Sequence, residues 1–251
     1  MKESSRTPSS RLGGAVISDR IVALLLEELR SGRFSQSTHL PAETELSALM
    51  SVSRTVIRDA LSEMERAGYI ERVRGIGTVV NRSVLELRNR LDQKLEYYPL
   101  IRSLGGYPHA DSIQVTLQQA DEDLAKSLDL AVGDEVICIK KRVLSDTTPV
   151  IYSVDYLPRT LFAGRDYTRI DLTPSVFEVL EKECGQQISS NVAHIRPTCG
   201  DEAIRSAMLL APGEALLLLD EVCYNRLCRP VMRSFSYYTN FFDFSILRKM
   251  I

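Results

Sequence analysis

Two arginines in the stretch "SVSRTVIRDAL", residues 51–61, have the chemistry of a nucleic-acid contact. Arg54 and Arg58 stand four residues apart, and neither has a carboxylate four residues before or after it. A guanidinium group can bind a guanine base or clamp a phosphate through two parallel hydrogen bonds. Exposed arginines on a helix are usually solvated or paired with an acid one turn away. The local pattern therefore leaves two alternatives, a DNA contact and a solvated helix face.

Other clusters of reactive side chains do not occur in the sequence. Three histidines, His39, His109 and His194, are widely separated and accompany no carboxylates at the spacing of metal ligands. The five cysteines form no CxxC pair and are odd in number, which predicts reduced thiols rather than a zinc site or a complete disulfide framework. We also find no phosphate loop, no GxSxG elbow and no Cys/His nucleophile arrangement. We therefore predict no metal, no cofactor and no catalytic residue.

Composition sets the broad class of the protein. The chain has 251 residues, 44% of them hydrophobic and 25% charged, which favours two domains with ordinary cores. Apolar runs such as "ALLLL" at 215–219 are far shorter than the ~20 residues of a membrane span. The polar start "MKESSRTPSSRLGGAV" lacks the apolar region of a signal peptide, so we expect the cytoplasm. Residues 1–82 hold 12 Lys+Arg against 10 Asp+Glu, and this small excess fits a first domain that meets a polyanion.

Three helices are predicted in the first eighty residues. Apolar positions from Ile17 onward recur at helical spacing up to a capping glycine, Gly32, and a second helix starts just after Pro41. The third helix has Ser53 as its N-cap and ends at Gly68. Its buried stripe follows the spacing i, i+3, i+4, i+7 and consists of Ile57, Ala60, Leu61 and Met64.

A two-stranded hairpin follows the third helix. "YIERV" and "TVV" are β-prone runs on either side of "RGIG", whose glycines are Gly75 and Gly77. Three short helices and such a ribbon form the outline of a winged helix-turn-helix, in which the third helix enters the major groove. This outline favours DNA contact for Arg54 and Arg58.

The stretch "LPAETELSALMSVSRTVIRDALSEMERAGYIERVRGIGTVV", residues 40–80, resembles the DNA-binding domain of the GntR family of bacterial transcription regulators. Two positions depart from the family pattern: Thr44 replaces an arginine, and Ile76 replaces a polar or basic residue between the wing glycines. We expect these changes to lower affinity or shift operator preference. The resemblance implies double-stranded operator DNA as a partner and these contact residues: Ser53, Arg54, Thr55, Arg58, Arg74, Gly75, Gly77 and Thr78.

An internal repeat occupies much of the remaining chain. Residues 121–158 align with residues 201–239, with a shift of 80 before the hairpin turn and 81 after it. Ser153 then matches Ser234, and Gly133 matches Gly213. Each copy is predicted to form a short helix, a turn and two long strands. Two copies related by a pseudo-twofold would build one antiparallel sheet with helices packed on it.

The segments "PVIYSVDYLP" (149–158) and "PSVFEVL" (174–180) resemble the UTRA effector-binding domain of the HutC-type branch of the GntR family. The resemblance covers roughly residues 97–245. It implies an architecture similar to chorismate lyase, a homodimer, and a pocket that accepts a small metabolite, commonly an anionic one.

The same resemblance points to candidate effector ligands. Within "KKR" (140–142), strand alternation places Lys140 and Arg142 on one face and Lys141 on the other, and we favour Arg142 for the pocket. A basic side chain with hydroxyls and a helix N-terminus suits an anion. Tyr156 has an alternative role as half of a matched pair of core tyrosines with Tyr237. The full predicted set is Arg142, Ser153, Tyr156, Ser175, Phe177 and Tyr238.

These observations combine into an α+β protein with a winged helix-turn-helix at 12–82, a linker at 83–96 and a UTRA effector-binding and dimerisation domain at 97–251. The predicted function is a transcriptional regulator, with repression relieved by ligand as the family's usual mode. One alternative is an enzyme of chorismate lyase-like fold that acts on a small anionic metabolite. A third possibility is a DNA-binding protein whose second domain only dimerises.

Overall fold

The structure, a computed structural model, describes residues 9–93, 96–162 and 164–250. The described residues form two compact units, 9–93 with 244–250, and 96–243 without residue 163. Helices and antiparallel sheets occur in both units, which confirms the α+β class. No described helix is both long and apolar enough to cross a membrane. Residues 94, 95 and 251, which fall in the predicted linker and second domain, lie outside the described residues.

The first unit is a winged helix-turn-helix. Its core joins buried leucines of the first helix to the stripe of the third, for example Leu25 and Leu61. Ile17 and Leu24 are 44% and 47% exposed, whereas Ile21, Leu25 and Leu29 are buried in this core, and Val22 and Leu26 pack against it. Its helices are α1 (Ser9–Arg30), α2 (Glu43–Met50), α3 (Arg54–Arg66) and α4 (Arg82–Leu85), and its sheet has the order β1 (His39–Leu40), β3 (Gly77–Val80), β2 (Ile70–Val73).

Helix α3 forms for the reasons visible in its sequence. The Ser53 hydroxyl accepts a hydrogen bond from the Val56 amide at 3.3 Å, which satisfies one of the free donors at the helix start. The four residues of the apolar stripe have no exposed surface, and their burial fixes which side of the helix faces outward. Gly68 follows the helix with φ of +79°, a conformation that glycine adopts without strain.

The first part of the predicted linker is integrated into the first unit. The Arg82 guanidinium donates to the carbonyls of Leu29 at 2.7 Å and of Phe34 and Ser37 at 2.5 Å each. Arg90 is 3% exposed and donates to the Ala67 carbonyl at 2.7 Å. Residues 82–93 therefore belong to the folded unit, and the structure places 244–250 there too, whereas we expected them in the second domain.

The second unit is built around one six-stranded antiparallel sheet. Its strands have the order β4-β5-β6-β9-β8-β7, so each half of the sheet contributes three neighbouring strands. The strands are β4 (Pro108–Gln119), β5 (Glu135–Ser145), β6 (Thr148–Pro158), β7 (Ile188–Thr198), β8 (Leu216–Asn225) and β9 (Pro230–Tyr238). The helices are α5 (Tyr97–Ser103), α6 (Glu122–Leu128), α7 (Val176–Cys184) and α8 (Glu202–Met208), with short 3-10 helices at Arg159–Phe162 and Tyr167–Arg169.

The two halves of this sheet repeat one another in detail. Asp121 caps α6 through a 2.9 Å bond from Leu124 N, and Asp201 caps α8 through a 2.8 Å bond from Ile204 N. Strands β6 and β9, one from each repeat, pair at the centre of the sheet. The pseudo-twofold relation predicted from the sequence therefore passes between these two strands.

Helices cover both faces of the sheet. Helix α7 packs through Val176, Val179 and Leu180 on a face that includes Ile139 and Leu157. Helices α6 and α8 pack on the opposite face in two separate clusters, one with Tyr156 and one with Tyr152 and Tyr237. We call these the α7 face and the α6/α8 face.

Candidate nucleic-acid interface and effector site

The predicted recognition residues are exposed at the start of α3. Ser53, Arg54, Thr55 and Arg58 all face outward, since the apolar stripe turns the opposite side of the helix inward. Neither Arg54 nor Arg58 forms an ion pair in the described part of the chain. Both guanidinium groups are therefore available for a ligand, as a phosphate or base contact requires.

The wing is fixed to the recognition helix by a different arginine. Arg72 of β2 donates through Nε to Glu65 Oε2 at 2.8 Å and through its backbone amide to Glu65 Oε1 at 2.9 Å. These bonds hold the pKa of Glu65 below its ordinary value. Arg72 thus serves the fold, because its charge is already used by a carboxylate of α3.

The wing turn presents the remaining predicted contacts. Arg74, Gly75 and Gly77 are exposed at the turn, and Thr78 is half-buried at the start of β3. Gly75 and Gly77 have φ of +81° and +109°, conformations that other residues seldom adopt. Ile76, at the tip, is 64% exposed. The wing therefore presents one cation, Arg74, beside an apolar tip.

A group of polar side chains lies inside the second unit, on the α7 face where β5, β6, β9 and β8 run side by side. Its members share this face because they are cross-strand partners: Lys141 stands opposite Ser153, Ser153 opposite Ser236, and Ser234 opposite both Asp155 and Glu221. We call this group the polar cluster, and it consists of Lys141, Ser153, Asp155, Glu221, Ser234 and Ser236.

Hydrogen bonds connect the centre of the polar cluster. Asp155 accepts from Ser234 Oγ at 2.6 Å and from Ser153 Oγ at 3.1 Å. Ser234 and Ser236 hydroxyls are 3.2 Å apart. At one end, Lys141 Nζ donates to the Pro174 carbonyl at 2.5 Å, and at the other, Asn191 Nδ2 donates to Glu221 Oε1 at 2.5 Å.

Burial shifts the charges of the polar cluster. Lys141 is 1% exposed, and burial lowers its pKa to about 8 against the attraction of Asp155. Burial raises the pKa of Glu221 to about 7, and the negative charge of Asp155 adds to this rise. Burial also raises the pKa of Asp155, although Ser234, Lys141 and Ser153 stabilise its ionised form. Groups with such shifted pKa values, gathered in a buried polar cluster, are often found at functional sites.

Four of the predicted effector residues lie on the α7 face. Ser153 belongs to the polar cluster, and Tyr238 lies two residues beyond Ser236 on the same strand face, where burial raises its pKa. The Ser175 hydroxyl caps α7 by accepting from Glu178 N at 3.3 Å and donates to Glu96 Oε2 at 3.4 Å. Phe177, in the first turn of α7, packs against the apolar core of this face.

Two predicted effector residues are placed elsewhere. Arg142 lies on the α6/α8 face, where it pairs with Asp111 at 2.5 Å and donates to the Ala207 carbonyl at 2.7 Å. Tyr156 lies on that face too, packed against the α6 cluster and edge-to-face with Phe235 at 6.2 Å. The structure therefore does not bring Arg142 and Tyr156 together with Ser153, because successive strand residues point to opposite faces.

The sequence held a signal for the residues that we missed. With the repeat shift of 80, Lys141 corresponds to Glu221, just as Ser153 corresponds to Ser234 with the shift of 81. Polar residues at matching positions of otherwise apolar strands mark a shared polar site on the pseudo-twofold. Asp155 and Ser236 are matched by the same shift of 81.

Comparisons with known proteins agree with both units. Residues 17–80 match the family described as bacterial regulatory proteins, gntR family, and residues 103–240 match the UTRA domain. The chain is 24% identical over 224 residues to the uncharacterized HTH-type transcriptional regulator YurK of Bacillus subtilis, covering 89% of this chain and 91% of YurK.

Two further comparisons extend this result. The HTH-type transcriptional repressor NagR of Bacillus subtilis is 22% identical over 205 residues, covering 82% of this chain and 83% of NagR. The crystal structure of the possible transcriptional regulator YydK from the same species superposes with a TM-score of 0.73 at 17% identity, covering 94% of this chain and 99% of YydK. The latter likeness establishes the fold alone.

Proposed function

Since the chain belongs to the gntR family of bacterial regulators and carries their UTRA domain, we propose that it is a homodimeric repressor released from its operator by a small effector. That the chain is a transcriptional regulator and not an enzyme follows from its family and from the relatives named above, which are transcriptional regulators. A regulator of this kind works where its operator DNA is, so we propose the cytoplasm as its location.

The observation that carries the DNA half of the proposal is the pair of exposed arginines on α3, which form no ion pair with any residue that the structure describes. In a helix-turn-helix, the first turns of the recognition helix face the base edges and the wing follows the backbone. We assign Arg58 to a base contact, Arg54 to a phosphate beside the core stripe, and Arg74 to a phosphate at the wing. A dimer would place two copies of α3 in half-sites about 34 Å apart.

Fluorescence anisotropy with DNA from upstream of the protein's own gene tests this half. We expect binding that weakens steeply with salt, because each neutralised phosphate releases counterions. Binding that is absent at low salt, or that is insensitive to salt, would contradict the proposal.

The polar cluster supports the effector half. Lys141 has three N–H donors and one of them is taken by the Pro174 carbonyl, so an anionic or accepting group of a ligand can take the others. Asp155 and Glu221 accept hydrogen bonds and favour donors or a positive charge at the other end of the site. We therefore propose a small ligand with an acceptor at the Lys141 end and donors at the Glu221 end, with Ser153, Ser175 and Tyr238 beside it.

Neighbouring residues of β5 provide a matched pair for the test. A thermal-shift screen of small anionic, neutral and zwitterionic metabolites first finds a stabilising compound. We expect Lys141→Met to abolish that stabilisation and Arg142→Met to preserve it, because the two side chains lie on opposite faces. The reverse result would return the site to the α6/α8 face, and a complete screen without any stabilising compound would favour a second domain that only dimerises.

A further inference from the structure

The last residues of the chain return to the DNA-binding unit. Residues 244–250 follow β9 of the second unit, but they pack within the first. They lie outside both family matches, which cover residues 17–80 and 103–240. We call residues 244–250 the C-terminal tail.

Backbone hydrogen bonds attach the tail to the segment that follows α4. Ser245 N donates to the Asn89 carbonyl, and Leu91 N donates to the Ser245 carbonyl, both at 2.9 Å. Leu247 N donates to Asp92 Oδ1 at 3.3 Å. Three bonds within three tail residues define one register for the tail.

Side chains of the tail reach the end of the recognition helix. Leu247 packs against the core of the first unit, beside Gly68. A Cβ atom added to Gly68 would stand only 2.2 Å from Leu247 Cδ2. Lys249 Nζ donates to the carbonyl of Glu65, in the last turn of α3. The Glu65 carbonyl also accepts from Gly68 N at 2.9 Å, and a cation at the C-terminal end of a helix interacts favourably with the helix dipole.

The tail also supports a second cation at this helix end. Asp92, which accepts from Leu247, forms a 2.5 Å ion pair with Arg90. Arg90 in turn donates to the Ala67 carbonyl directly after α3. The tail therefore contacts the end of α3 both directly and through Asp92 and Arg90.

A short stretch of chain connects the tail to the strand that carries part of the polar cluster. Phe242 is buried and packs edge-to-face on Tyr238 of β9, with ring centroids 5.4 Å apart. Two residues separate Phe242 from Ser245, so the Cα atoms of these anchors are at most about 11 Å apart.

We propose that the C-terminal tail is a positioning element for the recognition helix, with Leu247 and Lys249 holding its C-terminal end. It also gives β9, which carries Ser234 and Ser236, a direct covalent path to α3. The importance of this path for regulation rests on the proposed function. The docking of the tail rests on the contacts within the first unit alone.

Neighbouring apolar residues of the tail offer a matched test of docking. Leu247 is packed, while Ile246 is 57% exposed. The probe is a duplex with the sequence that the wild-type protein selects from a random library. We expect Leu247→Ala to weaken binding about tenfold, as the loss of one base contact would, and Ile246→Ala to stay within about twofold. Leu247→Met should restore most of the affinity.

A destabilised control separates positioning from stability. Val84→Ala removes a buried side chain of α4 from the same core and changes no residue of the tail. We expect it to lower the melting temperature as Leu247→Ala does but to leave DNA affinity within about twofold well below that temperature. Equal affinity losses in both variants would overturn the proposal.

Hydrogen exchange of the full chain tests docking without DNA. Deletion of residues 244–251 should increase amide exchange in the last turn of α3 and at Tyr69, with the central strands of the second unit unchanged. Unchanged exchange at α3 would overturn the proposal. If the wild type bound no DNA while exchange at α3 did rise, the proposed function would fail and the docking would stand.

An insertion between Asp243 and Phe244 tests whether DNA affinity depends on the docking of the tail or on the length of the chain between β9 and the tail. A Gly-Ser insertion of about four residues lengthens the connection between β9 and the tail but leaves the tail free to dock. We expect it to retain DNA affinity that the deletion loses, because docking remains intramolecular. A loss equal to that of the deletion would contradict the docking role of Leu247 and Lys249.

Discussion

The first unit exposes the charges that we assign to function, whereas the second unit buries them. Arg54, Arg58 and Arg74 face outward on α3 and the wing, and their environment is water. Lys141 and Asp155 are 1% and 3% exposed, and they lie on the same face of two neighbouring strands of the sheet. Exposed cations suit a polyanion of large surface, and a buried mixed-charge site suits a small ligand that fits inside.

This difference has energetic consequences. An exposed arginine keeps its hydration and costs the fold little, so its removal affects DNA binding more than stability. A buried lysine or glutamate loses hydration, so it makes stability depend on pH. Salt should therefore act mainly on DNA binding by the first unit, and pH mainly on the stability of the second.

The largest effect is expected from Glu221. Its folded-state pKa of about 7 lies above the ordinary 4.5, so the folded protein binds this proton more tightly and loses about 3 kcal/mol of stability as pH rises from 4.5 to 7. Glu221→Gln should remove that part of the pH dependence, as measured by urea unfolding at pH 5 and 7.5. Glu135→Gln, at an exposed position of β5, is the control. Parallel curves for wild type and Glu221→Gln would show that Glu221 is ionised in the fold.

Lys141 should give an effect of similar size and opposite sign. Its folded-state pKa of about 8 lies below the ordinary 10.5, so the unfolded chain holds this proton longer and stability rises by about 3 kcal/mol between pH 8 and 10.5. Lys141→Met should lack this rise and be relatively more stable near pH 7.5. Unfolding at pH 7.5 and 9.5 measures the difference. If stability still rises with pH in Lys141→Met, the rise comes from another titratable group.

Arg58→Ala should weaken operator binding by about 1–3 kcal/mol if the arginine reads a base. The same change should leave the melting temperature nearly unchanged, since the side chain is exposed and forms no ion pair in the described chain. Arg66→Ala, in the exposed last turn of the same helix, is the control. An affinity equal to that of the wild type would assign Arg58 to the solvated face that we considered as the alternative.

Arg74→Ala is expected to have the smallest effect. A phosphate contact is lost almost equally from every DNA sequence, and the slope of log affinity against log salt falls by about 1. Anisotropy titrations at several salt concentrations with specific and random duplexes measure both quantities. A loss confined to the specific duplex would make Arg74 a base-reading residue, which would narrow the difference that we draw between the wing and α3.

Much of the first unit could be predicted because its signals are local. Ser53 as cap and the stripe ending at Met64 determine where α3 begins and which way it faces. The repeat likewise predicted the sheet, since both copies carry the same turn and strand pattern. The role of Arg72 could not be predicted, because its partner Glu65 belongs to a different element.

The effector site was harder to predict for the same physical reason. Alternation correctly separated Lys141 from Arg142, but two-residue periodicity does not say which face is the inner one. The contacts of each side chain show which face is which. Arg142 binds Asp111 and the Ala207 carbonyl, whereas Lys141 belongs to the polar cluster around Asp155.

The sequence by itself determined the family, the two architectures, the start and orientation of α3, and the repeat on which the polar cluster lies. Local capping, hydrophobic spacing and turn residues act over a few positions, so they can be recognised in a linear chain. Only the tertiary structure decided which lysine is buried, which arginines form ion pairs within the described residues, and that the tail returns to α3. Those outcomes depend on strand register and on contacts between residues far apart in sequence, such as Lys249 with Glu65.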